Sequence, residues 1–255
     1  MAVRRSGPTS KKGPDRVIVE EPLEIRLDGH LVATTMRTPG DDFELAVGFC
    51  HAEGLLDGNA VKQIRYCATG SAAATKFNVV TVETEHPAAD APAARLGVTT
   101  AACGVCGTEA IDALAERLRP LPHGPTVPAP EIVETVDAAV RAAQPLFDKT
   151  GSVHGAAAFA VATGELGPIR EDIGRHNAVD KVVGKLCLDG QLPAIDYGLF
   201  VSGRASFEMV QKAWAAGFAC LLAVGGPSSL AVATATRARL GLVAFVRGDS
   251  HSIFS

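Results

Sequence analysis

The chain has 255 residues, 47% of them hydrophobic, and carries 24 basic against 28 acidic side chains. This length allows one large domain or two small ones with a buried core. The slightly acidic balance offers no general attraction for nucleic acid or for an anionic membrane, so neither is expected as a partner.

The sequence is typical of a cytoplasmic protein with free thiols. Its longest hydrophobic runs, such as residues 218–224, are much shorter than the roughly 20 residues that a membrane-spanning helix needs. The basic N-terminus is not followed by the hydrophobic segment of a secretory signal. The cysteines are too scattered for the disulfide framework of a small secreted protein. They are Cys50, Cys67, Cys103, Cys106, Cys187 and Cys220.

The first part of the chain divides into a tail and a small subdomain. Residues 1–16 mix Gly, Pro, Ser and basic residues and are predicted to be a flexible tail. Residues 17–90 are predicted to form an N-terminal α+β subdomain. Two β-like stretches flank Asp28-Gly29, which favours a hairpin, and Asp41 is a candidate helix cap.

Residues 91–255 are predicted to form the larger domain. Helical and β-like patterns alternate here, which is typical of a sheet with helices on its faces. The clearest helix spans Glu131 to Phe147, because its hydrophobic side chains recur on one face. Asn177 is a candidate cap for a helix that ends at Leu188.

The segment Cys103-Gly104-Val105-Cys106-Gly107 precedes a predicted helix that begins at Thr108. Unpaired N–H groups at a helix N-terminus favour a thiolate, and cysteines in such positions can have pKa values of roughly 3.5 to 7.5. Cys103 and Cys106 are therefore the candidate catalytic residues.

Three other interpretations of this pair stay open. The two cysteines can be buried structural thiols, or a dithiol redox pair. They can also combine with His51-Ala52-Glu53 into the H-x-E and C-x-x-C pattern of a zinc deaminase. The position of His51 before Gly54 indicates an ordinary helix end instead, so no metal site is predicted.

Several segments combine small residues with groups that bind phosphate or a heterocyclic base. A turn of small residues between strand and helix exposes backbone N–H groups, and arginine adds a bidentate donor. A solvated helix start, a strand end or a loop histidine would give the same local patterns. The candidate cofactor-binding residues are His154, Arg175, His176, Ser202, Gly203, Arg204, Phe245, Val246, Arg247, Gly248, Asp249 and Ser250.

Taken together, these segments resemble the FdhD family of formate dehydrogenase accessory sulfurtransferases. The resemblance extends over nearly the whole chain from Glu20 onward. It rests on Glu21-Pro22-Leu23-Glu24-Ile25-Arg26-Leu27, Met36-Arg37-Thr38-Pro39-Gly40-Asp41-Asp42, the cysteine segment 103–107, Asp172-Ile173-Gly174-Arg175-His176-Asn177-Ala178-Val179-Asp180-Lys181 and Ser202-Gly203-Arg204-Ala205-Ser206-Phe207-Glu208.

The resemblance implies a cytidine deaminase-like layered α/β domain with the smaller N-terminal subdomain attached. It implies a sulfur carrier that takes a persulfide from a cysteine desulfurase onto Cys103, with Cys106 assisting. The sulfur would pass to the molybdenum bis(guanine dinucleotide) cofactor before its insertion into the formate dehydrogenase catalytic subunit. Guanine nucleotides such as GDP would mimic this cofactor, and the segment 245–250 would bind it. A homodimer is expected.

Some positions depart from the family pattern. Ser152 stands where a second glycine is expected before His154, and Gly225-Gly226-Pro227 is richer in glycine than the usual turn. Asp249 adds negative charge near the expected phosphates. A non-catalytic cofactor chaperone is the alternative function, in which the protein binds the cofactor and its client without moving sulfur.

Overall fold

The computed structural model describes residues 2–6, 9–13, 15–67, 70–87, 98–99, 112 and 116–254. Cys103 and Cys106 lie outside the described residues. No helix within the described ranges combines the length and hydrophobicity needed to span a bilayer.

Strands and helices alternate along most of the described chain. The strands are β1 (Ala2–Ser6), β2 (Thr9–Gly13), β3 (Glu21–Leu27), β4 (His30–Arg37), β5 (Val61–Tyr66), β6 (Val79–Thr84), β7 (Val98–Thr99), β8 (His154–Ala160), β9 (Leu166–Asp172), β10 (Tyr197–Val201), β11 (Cys220–Ala223), β12 (Gly241–Arg247) and β13 (Ser250–Phe254). The helices are α1 (Asp42–Ala52), α2 (Pro130–Ala142), α3 (Pro145–Thr150), α4 (Arg175–Leu188), α5 (Phe207–Ala216) and α6 (Ser229–Ala238).

The first large sheet has the strand order β5-β6-β3-β4-β7. Strands β3 and β4 form the predicted hairpin, in which Asp28 and Gly29 have φ values of 50° and 87°. Asp and Gly tolerate this left-handed backbone better than other residues, which explains the turn. Helix α1 packs on the sheet, and Leu45 joins Leu23 and Ile25 in a shared core.

The second sheet has the order β13-β12-β11-β10-β8-β9 and carries helices on both faces. Strand β10 shows the alternation that builds the two cores. Phe200 packs on the same side as Val136 of α2, whereas Leu199 and Val201 join the core formed with α4, α5 and α6. The predicted mixed α/β architecture is confirmed.

Helices α1 and α4 hold the two sheets together through a close backbone contact. A Cβ atom at Gly48 would lie 1.8 Å from the carbonyl oxygen of Asp180, and one at Gly184 would lie 1.8 Å from that of Glu44. Strand β7 pairs with β4 although it lies beyond residue 91, so the first sheet draws on both predicted units. The proposed division into two domains stays a prediction.

Two predicted features of the helices are wrong. The helix expected over 131–147 is two helices, because a proline within a helix has no N–H to donate and clashes with the preceding turn, so Pro145 starts a new helix. Asn177 does not cap α4, whose N-cap residue is Gly174. Its amide instead donates to the Met36 carbonyl oxygen at 2.8 Å and to Asp172 Oδ1 at 3.0 Å.

Asp41 stands at the N-cap position of α1, as predicted, but its side chain accepts no capping hydrogen bond. Its backbone is left-handed, with a φ of 55°. The carboxylate instead lies 3.6 Å from Arg170 Nε. A distant partner in β9 therefore decides the direction of this side chain.

Sequence patterns missed a hairpin near the N-terminus and two edge strands of the second sheet. Residues 1–16 were expected to be a tail, but β1 and β2 pair with each other there as a hairpin. Strand β9 contains Pro168 and three charged residues at its end, and β13 is mostly polar, so neither shows a strand pattern. Both are edge strands, where proline and polar residues are tolerated.

The contact between α1 and α4 predicts a strong effect of Gly184→Ala. The added methyl group meets backbone rather than a flexible side chain, so the two helices must move apart. We expect the free energy of unfolding to fall by about 3 kcal/mol, at the upper end for an overpacked core. Urea denaturation measures it. Gly167→Ala is the matched control, because its Cβ would meet Ala158 at an ordinary 3.5 Å; equal losses would contradict this account.

Candidate functional site

The predicted cofactor-binding segments come together at one edge of the second sheet. Strands β10, β11 and β12 are parallel, so their carboxyl ends share this edge. Ser202 follows β10, and Arg247 ends β12. The antiparallel strand β8 begins at the same edge with His154, and β9 ends there just before Arg175. Carboxyl ends of parallel strands are a common place for ligand sites in α/β proteins.

A cavity of about 620 Å³ opens at this edge. This volume lies within the range of small-molecule sites. Of the predicted residues, His154 and Ser202 line it. The lining residues are Arg141, Gln144, Phe147, Asp148, Gly151, Ser152, Val153, His154, Ile173, Phe200, Ser202 and Val224.

His154 lies at the centre of the predicted group. Its Nδ1 is 3.5 Å from Ser202 Oγ, which accepts a hydrogen bond from Gly155 N–H at 2.9 Å. Burial lowers the pKa of His154 below 6.5, and the neighbouring Arg175 and His176 lower it further. The imidazole is therefore neutral near pH 7 and can both donate and accept hydrogen bonds.

Arg175 and His176 begin α4 beside this imidazole. Gly203 lies between His154 and Arg175, since a Cβ there would be 3.6 Å from His154 Nδ1 and 3.7 Å from Arg175 Cδ. Arg175 Nε and His176 Nε2 are buried and have no hydrogen-bond partner in the described part of the chain. His176 Nε2 is 3.9 Å from Glu208 Oε2, and interaction with His176 lowers the pKa of Glu208 to about 2.

The glycine-rich turn after β11 makes room for Phe245. A Cβ atom at Gly226 would lie 2.6 Å from Phe245 Cζ. Phe245 N–H donates to the Gly225 carbonyl oxygen at 3.3 Å, and Gly225 N–H donates to that of Gly203 at 2.9 Å. This departure from the family pattern therefore shapes the contact between two predicted segments.

The predicted segment 245–250 lies beside the cavity and does not line it. The ring of Phe245 is half exposed, with a φ of 57°, whereas Val246 is buried in the core and offers a ligand only its backbone. Arg247 at the end of β12, the turn residues Gly248 and Asp249, and Ser250 at the start of β13 are exposed. Gly248 N–H donates to Asp137 Oδ2 at 3.3 Å, which ties this turn to α2. Arg204 is also exposed outside the cavity lining.

A buried carboxylate fixes the segment that leads into Arg175. Asp172 Oδ2 lies 2.8 Å from Lys181 Nζ, and both side chains are almost fully buried. Asp172 also accepts hydrogen bonds from the backbone of Thr38 at 3.1 Å and of Gly174 at 2.8 Å. These hydrogen bonds attach the start of α4 to the end of β4, so the predicted segments 36–42 and 172–181 are in contact.

Glu171 holds the helix that forms one wall of the cavity. Its carboxylate accepts hydrogen bonds from the backbone N–H groups of Leu146 at 2.9 Å and Phe147 at 2.8 Å. These groups lie in the first turn of α3, where a negative charge is favourable. Sequence patterns missed Glu171 and Asp137, because the backbone groups that they bind in α3 and at Gly248 are distant in the chain. They also missed Gln144.

His51 ends α1, as predicted, and its Nε2 is 3.1 Å from the Ala215 carbonyl oxygen. Burial is the main cause of its lowered pKa. Among the residues that the structure describes, no group of three or more potential metal ligands is found. The cysteines of the deaminase pattern lie outside that part, so the zinc interpretation stays untested.

The lowered pKa of His154 predicts a pH-dependent contribution to stability. Below about pH 6.5 the unfolded chain binds a proton at this histidine that the folded chain takes up only at lower pH. The stabilisation is therefore full above pH 6.5 and is lost as the pH falls. We expect His154→Asn to flatten the fall in unfolding free energy between about pH 7 and about pH 5 in urea titrations. The exposed His30→Asn control should retain the wild-type slope, and an equal slope in both variants would contradict the assignment.

The buried ion pair predicts that Lys181→Met is strongly destabilising, because it leaves the Asp172 charge without its partner. We expect a loss of about 3 to 5 kcal/mol in unfolding free energy, measured by chemical denaturation. Lys185→Met is the control, since Lys185 forms an exposed pair with Asp189 and should lose less than about 1 kcal/mol. A small effect of Lys181→Met would show that the carboxylate is satisfied by its other hydrogen bonds alone.

Comparison with solved structures supports the observed fold. The chain aligns over 100% of its length with 94% of a crystal structure of a candidate formate dehydrogenase accessory protein from Desulfotalea psychrophila. The TM-score is 0.74 and the sequence identity is 22%.

Comparison with protein sequences gives closer relatives. The chain is 46% identical to the sulfur carrier protein FdhD of Streptomyces avermitilis, over 98% of this chain and 90% of that protein. It is 44% identical to the sulfur carrier protein FdhD of Corynebacterium efficiens, over 95% of this chain and 90% of that protein. Residues 18–255 match the FdhD/NarQ family. The chain therefore belongs to the FdhD/NarQ family.

Proposed function

We propose that this protein is a sulfur carrier required for formate dehydrogenase activity. Cys103 takes a sulfur atom from the persulfide of a cysteine desulfurase. The sulfur passes to the molybdenum bis(guanine dinucleotide) cofactor before the cofactor enters the formate dehydrogenase catalytic subunit. The names of the relatives, all sulfur carrier proteins, support the sulfur-carrying part.

The observation that carries the cofactor part is the meeting of several polar segments at one sheet edge. Phosphate groups need local positive charge, because the chain as a whole has a net charge of −4. Arg175 supplies a buried Nε without a partner among the described residues. Arg204 is exposed on the loop that follows β10, and Arg247 is exposed at the end of β12. Together with the cavity, these groups suit a long anionic cofactor with heterocyclic ends.

Thr99, a described residue close to Cys103 in the sequence, is linked to the start of α4. This supports a site that the cysteine and the cavity share. Thr99 of β7 pairs with Thr35 of β4. The Thr35 hydroxyl donates to Asn177 Oδ1 at 3.3 Å, in the helix that begins with Arg175. Four residues of chain span at most about 14 Å, so sequence distance alone limits how far Cys103 can be from this contact.

The first chemical step is an exchange at sulfur. The Cys103 thiolate attacks the terminal sulfur of the donor persulfide, an S–S bond forms to Cys103, and the donor cysteine leaves as a thiolate. Once the cofactor is bound, Cys106 attacks the Cys103 sulfur, which forms a disulfide and releases hydrosulfide for the molybdenum centre. Without the cofactor the persulfide stays on Cys103. The two thiols supply the electrons for this release, and a cellular thiol reductant restores them.

The remaining parts of the proposal concern architecture and location. A mixed sheet with α2 on one face and α4, α5 and α6 on the other supports a cytidine deaminase-like layering. We also propose a homodimer, since a cofactor with two guanine nucleotides suits a two-fold symmetric binder. A cytoplasmic location agrees with the reduced thiols that this chemistry needs.

Intact-mass analysis tests the persulfide. After incubation with a cysteine desulfurase and cysteine, the wild-type chain should gain one sulfur atom that a thiol reductant removes. Cys103→Ser should gain none, whereas Cys187→Ser should match the wild type, because burial raises the pKa of Cys187 and makes it a poor nucleophile. A sulfur adduct that survives in Cys103→Ser would overturn the assignment.

The same variant separates a carrier from a cofactor chaperone. If Cys103→Ser binds guanine nucleotide normally and fails to activate formate dehydrogenase, the sulfur-transfer role is supported. If it restores full formate dehydrogenase activity in cells without another copy, the protein acts as a chaperone and the proposed transfer is wrong.

A further inference from the structure

Gln144 has a buried side-chain amide that is not satisfied within the described part of the chain. It lies between α2 and α3, and only 4% of its surface is exposed. Its Nε2 is buried and has no hydrogen-bond partner in the described part of the chain, and the residue belongs to the lining of the 620 Å³ cavity. An unpaired buried amide costs free energy, so its presence at a cavity wall indicates a partner that enters from the cavity.

The neighbouring backbone makes room for this amide. A Cβ atom at Gly155 would lie only 2.2 Å from Gln144 Nε2. Any side chain at position 155 would therefore push the amide out of place. Gly155 is itself fixed, because its N–H donates to Ser202 Oγ at 2.9 Å.

The surrounding residues suit the edge and face of a flat ring. Phe147 is 45% exposed and can stack on a ring, and the exposed Asp148 carboxylate can accept hydrogen bonds from ring N–H groups. Both lie on α3, whose first turn is held by Glu171. The site thus combines an amide donor, a carboxylate acceptor and an aromatic face on rigid supports.

We infer that this cavity binds a 2-amino-4-oxopyrimidine ring and that Gln144 reads its carbonyl edge. Guanine and pterin share this ring. The amide N–H of Gln144 donates to the ring carbonyl, Asp148 accepts from the ring N–H and amino groups, and Phe147 stacks on the face. This inference rests on the proposed function and names the part of the cofactor that the cavity takes.

Calorimetric titration of the full-length protein with GDP, neopterin and ADP tests the inference. GDP or neopterin should bind, and ADP should bind more weakly because adenine has an amino group where guanine has the carbonyl. Gln144→Leu should weaken binding at least about tenfold and reduce the preference over ADP. The exposed Gln191→Leu is the control and should bind as the wild type does. Gly155→Ala should mimic Gln144→Leu, because it displaces the amide.

Stability and binding together decide the outcome. Gln144→Leu should unfold at a temperature no lower than the wild type, because it removes an unpaired amide, so weaker binding would not reflect misfolding. If Gln144→Leu weakens the binding of GDP more than that of neopterin, the cavity holds the guanine end of the cofactor. The reverse result identifies the pterin end. Binding of GDP and neopterin that is unchanged in both variants would overturn this inference and leave the cofactor role standing. Absence of binding in the wild type would overturn both, whereas the sulfur adduct on Cys103 is an independent result.

Discussion

The buried ion pair between Asp172 and Lys181 is the contact on which the geometry of the site depends. The two charged atoms are 2.8 Å apart and neither side chain reaches solvent. Desolvation makes such a pair costly unless other hydrogen bonds satisfy it. The backbone of Thr38 and Gly174 supplies them, so one carboxylate joins the end of β4, the end of β9 and the start of α4. Arg175 begins α4, and its position is a consequence of this junction.

Neighbouring residues on β9 extend the junction in two directions. Side chains alternate along a strand, so Glu171 and Asp172 point to opposite faces of the sheet. Asp172 reaches Lys181 and the first sheet, whereas Glu171 binds the N-terminus of α3. A single strand end therefore positions both the cationic start of α4 and the wall of the cavity. Strand β9, an edge strand that sequence patterns missed, therefore holds several parts of the site in position.

Local sequence patterns predicted features that depend only on residues close together in the chain. The hairpin at Asp28-Gly29 was predicted, because Asp and Gly tolerate the left-handed turn that it needs. Asn177 was assigned to the wrong role, because its amide bonds to Met36, which is far away in the sequence. Gln144 was missed for a related reason: an unpaired amide is recognised only when its surroundings are known. The cysteine pair was found by its motif and lies outside the described residues.

The distribution of charge bears on the proposal that an acidic protein holds an anionic cofactor. Two basic side chains near the site are already paired, Lys181 with Asp172 and Arg141 with Asp137. In such a pair the carboxylate cancels most of the positive charge, so little attraction for an anionic ligand remains. Arg175 differs, because its Nε is buried without a partner among the described residues, and its charge helps to keep His154 neutral. A buried N–H donor gains more from an incoming phosphate than an exposed one, since water screens it less. If the proposed cofactor binds here, its attraction depends on a few donors at one sheet edge, and the net charge of the chain is secondary.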